Sequence, residues 1–160
     1  MNDPVTSPAH YTSHPIEVIH LSRRLCGPLA QIVQYVMRAH LKGEELQDLR
    51  KALFWADDLI AAMASEPVAL ACMAEPDFSM AEFTRQMREG RGFIVRRAWR
   101  AAWVWGREES PIAYLVDMRD AIVAEIALWR AKHDRPSVEA VAHQSAQGGS
   151  RRRQIGRAHV

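Results

Sequence analysis

Arg38, Lys42 and Lys51 are cations suited to phosphate: a planar arginine fork and two ammonium point charges able to offset phosphoryl oxygens. Glu17 and Asp48 supply the carboxylate oxygens that a magnesium ion requires. His10, Tyr11, Gln31, Gln34 and Trp55 add hydrogen-bonding groups and rings for a substrate, the aromatic ones by stacking on a base. Together these residue types fit charge stabilisation at a phosphoryl group, the main demand of phosphoryl transfer. Each also has a plainer use. Asp48 and Lys51 form an i, i+3 pair that any exposed helix carries, Arg38 and Lys42 complement a helix dipole, His10 suits a structural histidine and Tyr11 a packing anchor.

The pattern of apolar residues predicts how these groups are placed. Met1 to Pro15 is rich in proline and reads as an extended arm. A short helix follows from Ile16 to Leu25 and ends at Cys26-Gly27-Pro28. The second helix runs from Pro28 to Leu41, with Leu29, Ile32, Val33 and Val36 inward and Gln31, Gln34, Arg38 and Lys42 in line on another face. Lys42-Gly43 closes it. In the third helix Leu46, Leu49, Leu53, Ala56, Ile60 and Met63 keep steps of three and four, beside a polar line of Glu44, Asp48, Lys51, Trp55 and Asp58. The short connection makes the two helices an antiparallel pair whose polar lines could share a cleft.

Beyond Met63, Pro67 and Pro76 mark residues 64–78 as a short helix or packed linker and a boundary. Ser79 and Glu82 have capping-box spacing and open a helix to Glu89 that Gly90 and Gly92 would terminate. Phe93 to Trp105 reads either as a helix or as short strands at Phe93–Val95 and Trp103–Trp105. Ser110-Pro111 starts a last strong helix to about His133, and a weak one spans Ser137 to His143. The expected fold is therefore mainly α: an antiparallel helix pair with an extended N-terminal arm (1–63), followed by a further helical region (79–133) and a disordered tail (134–160). Residues 154–160 resemble a translated sequencing adapter, or form an ordinary basic tail.

With 160 residues, 48% of them apolar, the chain has enough material for a sizeable core. A net charge of +2 makes no case for nucleic acid except by local clustering. Cys26 and Cys72 lack metal spacing and read as reduced thiols, and the absence of an apolar span or leader points to a soluble cytoplasmic protein. There is no GxxxxGK[ST] loop, GxGxxG turn, HExxH helix or GxSxG elbow, so phosphate handling would fall to helix faces and the arm.

The ordered series Asp3-Pro4-Val5, Pro8-Ala9-His10-Tyr11, Ile16-Glu17-Val18-Ile19, Gln31 to Ala39, Lys42-Gly43 and Asp48-Leu49-Arg50-Lys51-Ala52 resembles the SaV-like phage proteins. Their relatives include a phage nucleotide kinase without the usual phosphate loop. The resemblance implies a phage or prophage protein of the bacterial cytoplasm that binds nucleotides, and an activity moving a phosphoryl group from a nucleoside triphosphate to a nucleoside monophosphate. Relatives usually show Gly-Asn and a lysine before the helix-two tyrosine, where this chain has Ala30-Gln31 and Gln34-Tyr35. Loss of that cation favours binding over kinase activity.

Two other readings compete. Glu44-Glu45-x-x-Asp48 looks like half of the acidic motif of all-helical, magnesium-dependent nucleotide pyrophosphohydrolases, although the second half is missing. In the later region Arg96, Trp99, Arg100, Trp103 and Arg107 share a helical face, as a single-stranded nucleic-acid binder requires. The bland version of that face is a core or dimer contact, and a homo-oligomer or a non-enzymatic host-protein module fits it as well.

Overall fold

Helix start signals and apolar spacing account for most of the architecture. The computed structural model describes residues 17–41, 43–71, 78–107 and 109–134, so the expected arm with His10 and Tyr11, Lys42, Cys72 and the tail lie outside the described residues. Six helices are present among them: α1 (Val18–Ser22), α2 (Gly27–Arg38), α3 (Glu45–Ser65), α4 (Met80–Thr84), α5 (Glu89–Val104) and α6 (Ile112–His133). The fold is mainly α, as the periodicity predicts. No helix among the described residues is long and apolar enough to cross a membrane.

Pro28 sits in the first turn of α2, where its missing N–H costs no hydrogen bond. Leu29, Ile32, Val33, Val36 and Met37 line its buried face. On α3 the corresponding face is Leu49, Ala52, Ala56 and Leu59, and α2 packs more extensively on α3 than on any other helix. The turn between them reaches a φ of +72° at Gly43, a left-handed conformation that a side chain would strain. α2 ends at Arg38, earlier than the expected Leu41, while α3 continues to Ser65.

The described part of the expected linker, residues 64–71, packs on the core. Leu70 is fully buried, its carbonyl accepts from Cys26 N–H at 2.9 Å, and Leu25 forms an isolated antiparallel bridge with Ala71. Ile94, Val95, Ala98, Ala101 and Ala102 of α5 and Leu115, Met118 and Ile122 of α6 then join Leu21, Leu29, Ile32 and Leu49 in one apolar cluster. Burial of this size supplies the main driving force for holding the helices together. One compact unit takes in everything described up to Leu128. A second begins at Trp129, where the indole stacks on His133 at 3.8 Å and the Trp129 carbonyl accepts from His133 Nδ1 at 2.7 Å.

Gly90 and Gly92 do not end a helix. α4 stops at Thr84, after an N-cap in which Ser79 Oγ accepts from Glu82 N–H, and the glycines lie in the first turn of α5. Close approach explains Gly90, where a Cβ would fall on the Glu125 carboxylate; at Gly92 a Cβ would meet the flexible end of Arg96 at 3.0 Å and Thr84 at ordinary contact distance. Residues 93–104 are helical, not stranded, with Ile94, Ala98, Ala101 and Ala102 inward. Trp105 lies exposed at the end of α5.

Candidate functional site

The end of α2 and the start of α3 bring an arginine, a lysine, a carboxylate and a ring together. Asp48, only 1% exposed, occupies the first turn of α3 with its backbone N–H bonded to Glu44 O. Arg38 comes from the last turn of α2 and grips both carboxylate oxygens, Nε to Oδ2 at 3.1 Å and Nη2 to Oδ1 at 3.2 Å. This is the bidentate geometry that gives arginine its directional strength. Lys51, one turn along α3, holds its ammonium 3.9 Å from Asp48 Oδ1 and leaves 42% of its side chain exposed.

Both cations also meet one ring. The guanidinium carbon of Arg38 lies 4.4 Å from the Tyr35 ring centroid, and Lys51 Nζ lies 5.6 Å from it. Tyr35 is therefore part of the cluster, although residue types had singled out only Tyr11 and Trp55 as candidate rings. Its signal was local: Tyr35 precedes Arg38 by three residues, a spacing that puts ring and guanidinium on one face. Among the described residues the cluster sets two cations against one carboxylate, an arrangement that can hold an anion. Because Arg38 occupies both oxygens of Asp48, a metal ion there would have to displace a bidentate arginine.

Asp48, Arg38 and Lys51 thus converge. Gln31 and Gln34 lie partly buried on α2, and Glu17 sits just before α1, its carbonyl accepting from His20 N–H at 3.0 Å. Trp55 is one turn beyond Lys51, packed against the core and edge-on to Phe54 at 5.6 Å. No hydrogen bond or ion pair between described residues joins these four to the Asp48 cluster, and no group of three or more His, Cys, Asp or Glu among the described residues could hold a metal ion.

A second ionic cluster lies beside the first, and no sequence motif announced it. Arg91 of α5, 5% exposed, bonds to His40 Nδ1 at 2.8 Å and to Glu45 Oε1, while its Nε stands 3.7 Å from Glu125 Oε2 of α6. The same Glu125 oxygen accepts from Arg88, and Glu125 itself is 3% exposed. Burial pushes Arg91 below the ordinary guanidinium range, against the opposing pull of Glu45 and Glu125. Residues 46 to 51 positions away in the chain meet here, so only packing of α5 on α2 could reveal the cluster.

The arginines of the expected nucleic-acid face, and Arg97 beside them, make contacts within the fold. Arg96 donates to Thr84 Oγ1 at 3.0 Å and to Glu89 at 2.8 Å, and Arg97 pairs with Asp117 at 3.3 Å. Arg100 bonds to Tyr114 OH and Glu109, which raise its pKa above the ordinary value, the Tyr114 bond foremost. Arg107 lies 4.3 Å from the Trp103 ring centroid, and Trp103 and Trp99 are 6.3 Å apart.

Compared with known proteins, residues 5–57 contain a domain matching DUF3310, a protein family of unknown function. The matched segment includes Tyr35, Arg38, Asp48 and Lys51 but ends well before Arg91. No curated protein and no solved structure matches the chain.

Proposed function

We propose that the α2–α3 module binds the phosphate group of a nucleotide, with Arg38 and Lys51 as the anion-facing cations and Asp48 as the buried carboxylate that aims them. The observation carrying this reading is the bidentate Arg38–Asp48 pair flanked by a half-exposed Lys51. A buried carboxylate fixes the guanidinium without cancelling the charge of the lysine, and a preorganised cation loses less entropy on meeting a phosphate. Lys42, His10 and Tyr11 belong to the same matched segment and are assigned here to phosphate and base contacts. The resemblance to SaV-like phage proteins extends the reading to a phage nucleotide kinase, with the phosphoryl group passing from a nucleoside triphosphate to a monophosphate and magnesium held through Glu17. The pyrophosphohydrolase alternative draws less support, because Glu45 and Asp48 of its acidic half-motif each accept from an arginine.

The test is calorimetric titration of the full chain with ATP and with nucleoside monophosphates, with and without magnesium, beside Arg38→Ala and Lys51→Ala. Saturable binding that both variants weaken supports the site, and phosphoryl transfer is then assayed by product formation. A folded wild type that binds neither class of nucleotide overturns the reading.

A further inference from the structure

The site sits at the turn between α2 and α3, where Leu41 N–H bonds to Arg38 O at 2.8 Å. Glu44 precedes α3 without a side-chain cap, leaving the helix's first N–H groups without that help, and Gly43 adopts positive φ. Against this turn stands Arg91, from a helix anchored by Ile94, Val95 and Ala98 in the core. One end of its guanidinium takes His40, at the start of the turn, and the other takes Glu45, at the start of α3. Glu45 and Asp48 share the first turn of α3, while His40 follows Arg38 by two residues. One buried fork therefore ties down both strands of chain that supply the Arg38–Asp48 pair. Arg91 is in turn placed by Glu125, whose carboxylate is gripped by Arg88 and fits against Gly90 because no Cβ is there.

We propose that Arg91, outside the matched segment, is a positioning residue for the Arg38–Asp48–Lys51 site. It sets the conformation of the α2–α3 turn and, through it, the seat of Arg38 on Asp48; the consequence for affinity rests on the nucleotide reading above. The later half of the chain thereby completes a site whose own residues all lie in the first half.

Nuclear magnetic resonance on the full chain tests this without a ligand. The signal of the Arg38 Nε–H, which donates to Asp48, reports the site, and exchange of the Asp48 amide, bonded to Glu44 O, reports the turn. Arg91→Met and Gly90→Ala, the latter displacing the Glu125 carboxylate without removing a charge, are expected to speed exchange at both by about tenfold relative to the α6 amides. Arg91→Lys, which keeps a charge but no fork, should restore part of the protection. Ile122→Val, a core control, should loosen the molecule without this selectivity. An unchanged Arg38 signal in a folded Arg91→Met overturns the proposal, and if that variant does not fold, an unchanged signal in Gly90→Ala does so. ATP affinity should fall about tenfold in Arg91→Met. A wild type that binds no ATP defeats the nucleotide reading, while the exchange result still decides the role of Arg91.

Discussion

Glu45 and Asp48 lie one turn apart at the start of α3 and each receives an arginine, yet the two clusters meet water differently. Around Asp48, among the described residues, two cations share one carboxylate and Lys51 remains half exposed. Around Glu45, Arg88 and Arg91 meet Glu45 and Glu125, charge for charge, and Arg91 and Glu125 are closed off from solvent. The first arrangement leaves a charge for a ligand; the second uses its charges to fasten α3, α5 and α6. Identical side-chain chemistry becomes a candidate site or a clamp according to whether the charges balance and whether water reaches them.

The contrast can be broken most forcefully at Glu125. Glu125→Ala strips a buried guanidinium of one partner and should cost about 3–5 kcal/mol, read as a lowered urea midpoint at unchanged slope. Asp48→Ala should cost less, about 2–3 kcal/mol in the same melt, because Arg38 is nearer the surface and can recover water. Lys51→Ala should separate function from stability: about 0.5 kcal/mol or less in stability, yet about tenfold weaker ATP binding by calorimetry. Arg119→Ala should do least. Arg119 bridges Asp57 of α3 and Asp120 at the surface, where the Asp57 bond foremost raises its pKa, and its loss should leave both the melt and ATP binding unmoved. Equal stability losses at Asp48 and Glu125 would erase the distinction between an open and a closed cluster.

Much of the helical frame was legible because its signals are local. The unbroken three-and-four spacing from Leu46 to Met63 marks α3, Pro28 marks the opening of α2, and Ser79 with Glu82 marks that of α4. The short turn also implied that the polar lines of α2 and α3 would meet, and Arg38, Asp48 and Lys51 do so. Local rules failed where a distant group intervened. Gly90 and Gly92 carry the usual mark of a helix end, but both lie in the first turn of α5, and the space Gly90 leaves is filled by Glu125. Pro67 and Pro76 suggested a packed linker, but no local signal singled out Leu70 between them as a core residue.

The sequence by itself determined which segments become helices, which faces turn inward and which pair of helices carries the cations, since caps, turns and periodicity act over a few residues. Only the tertiary structure decided that the two halves share one core and that Arg91 reaches His40, Glu45 and Glu125. Those meetings depend on how helices pack across dozens of residues of chain, and no local spacing encodes which buried arginine will find which carboxylate.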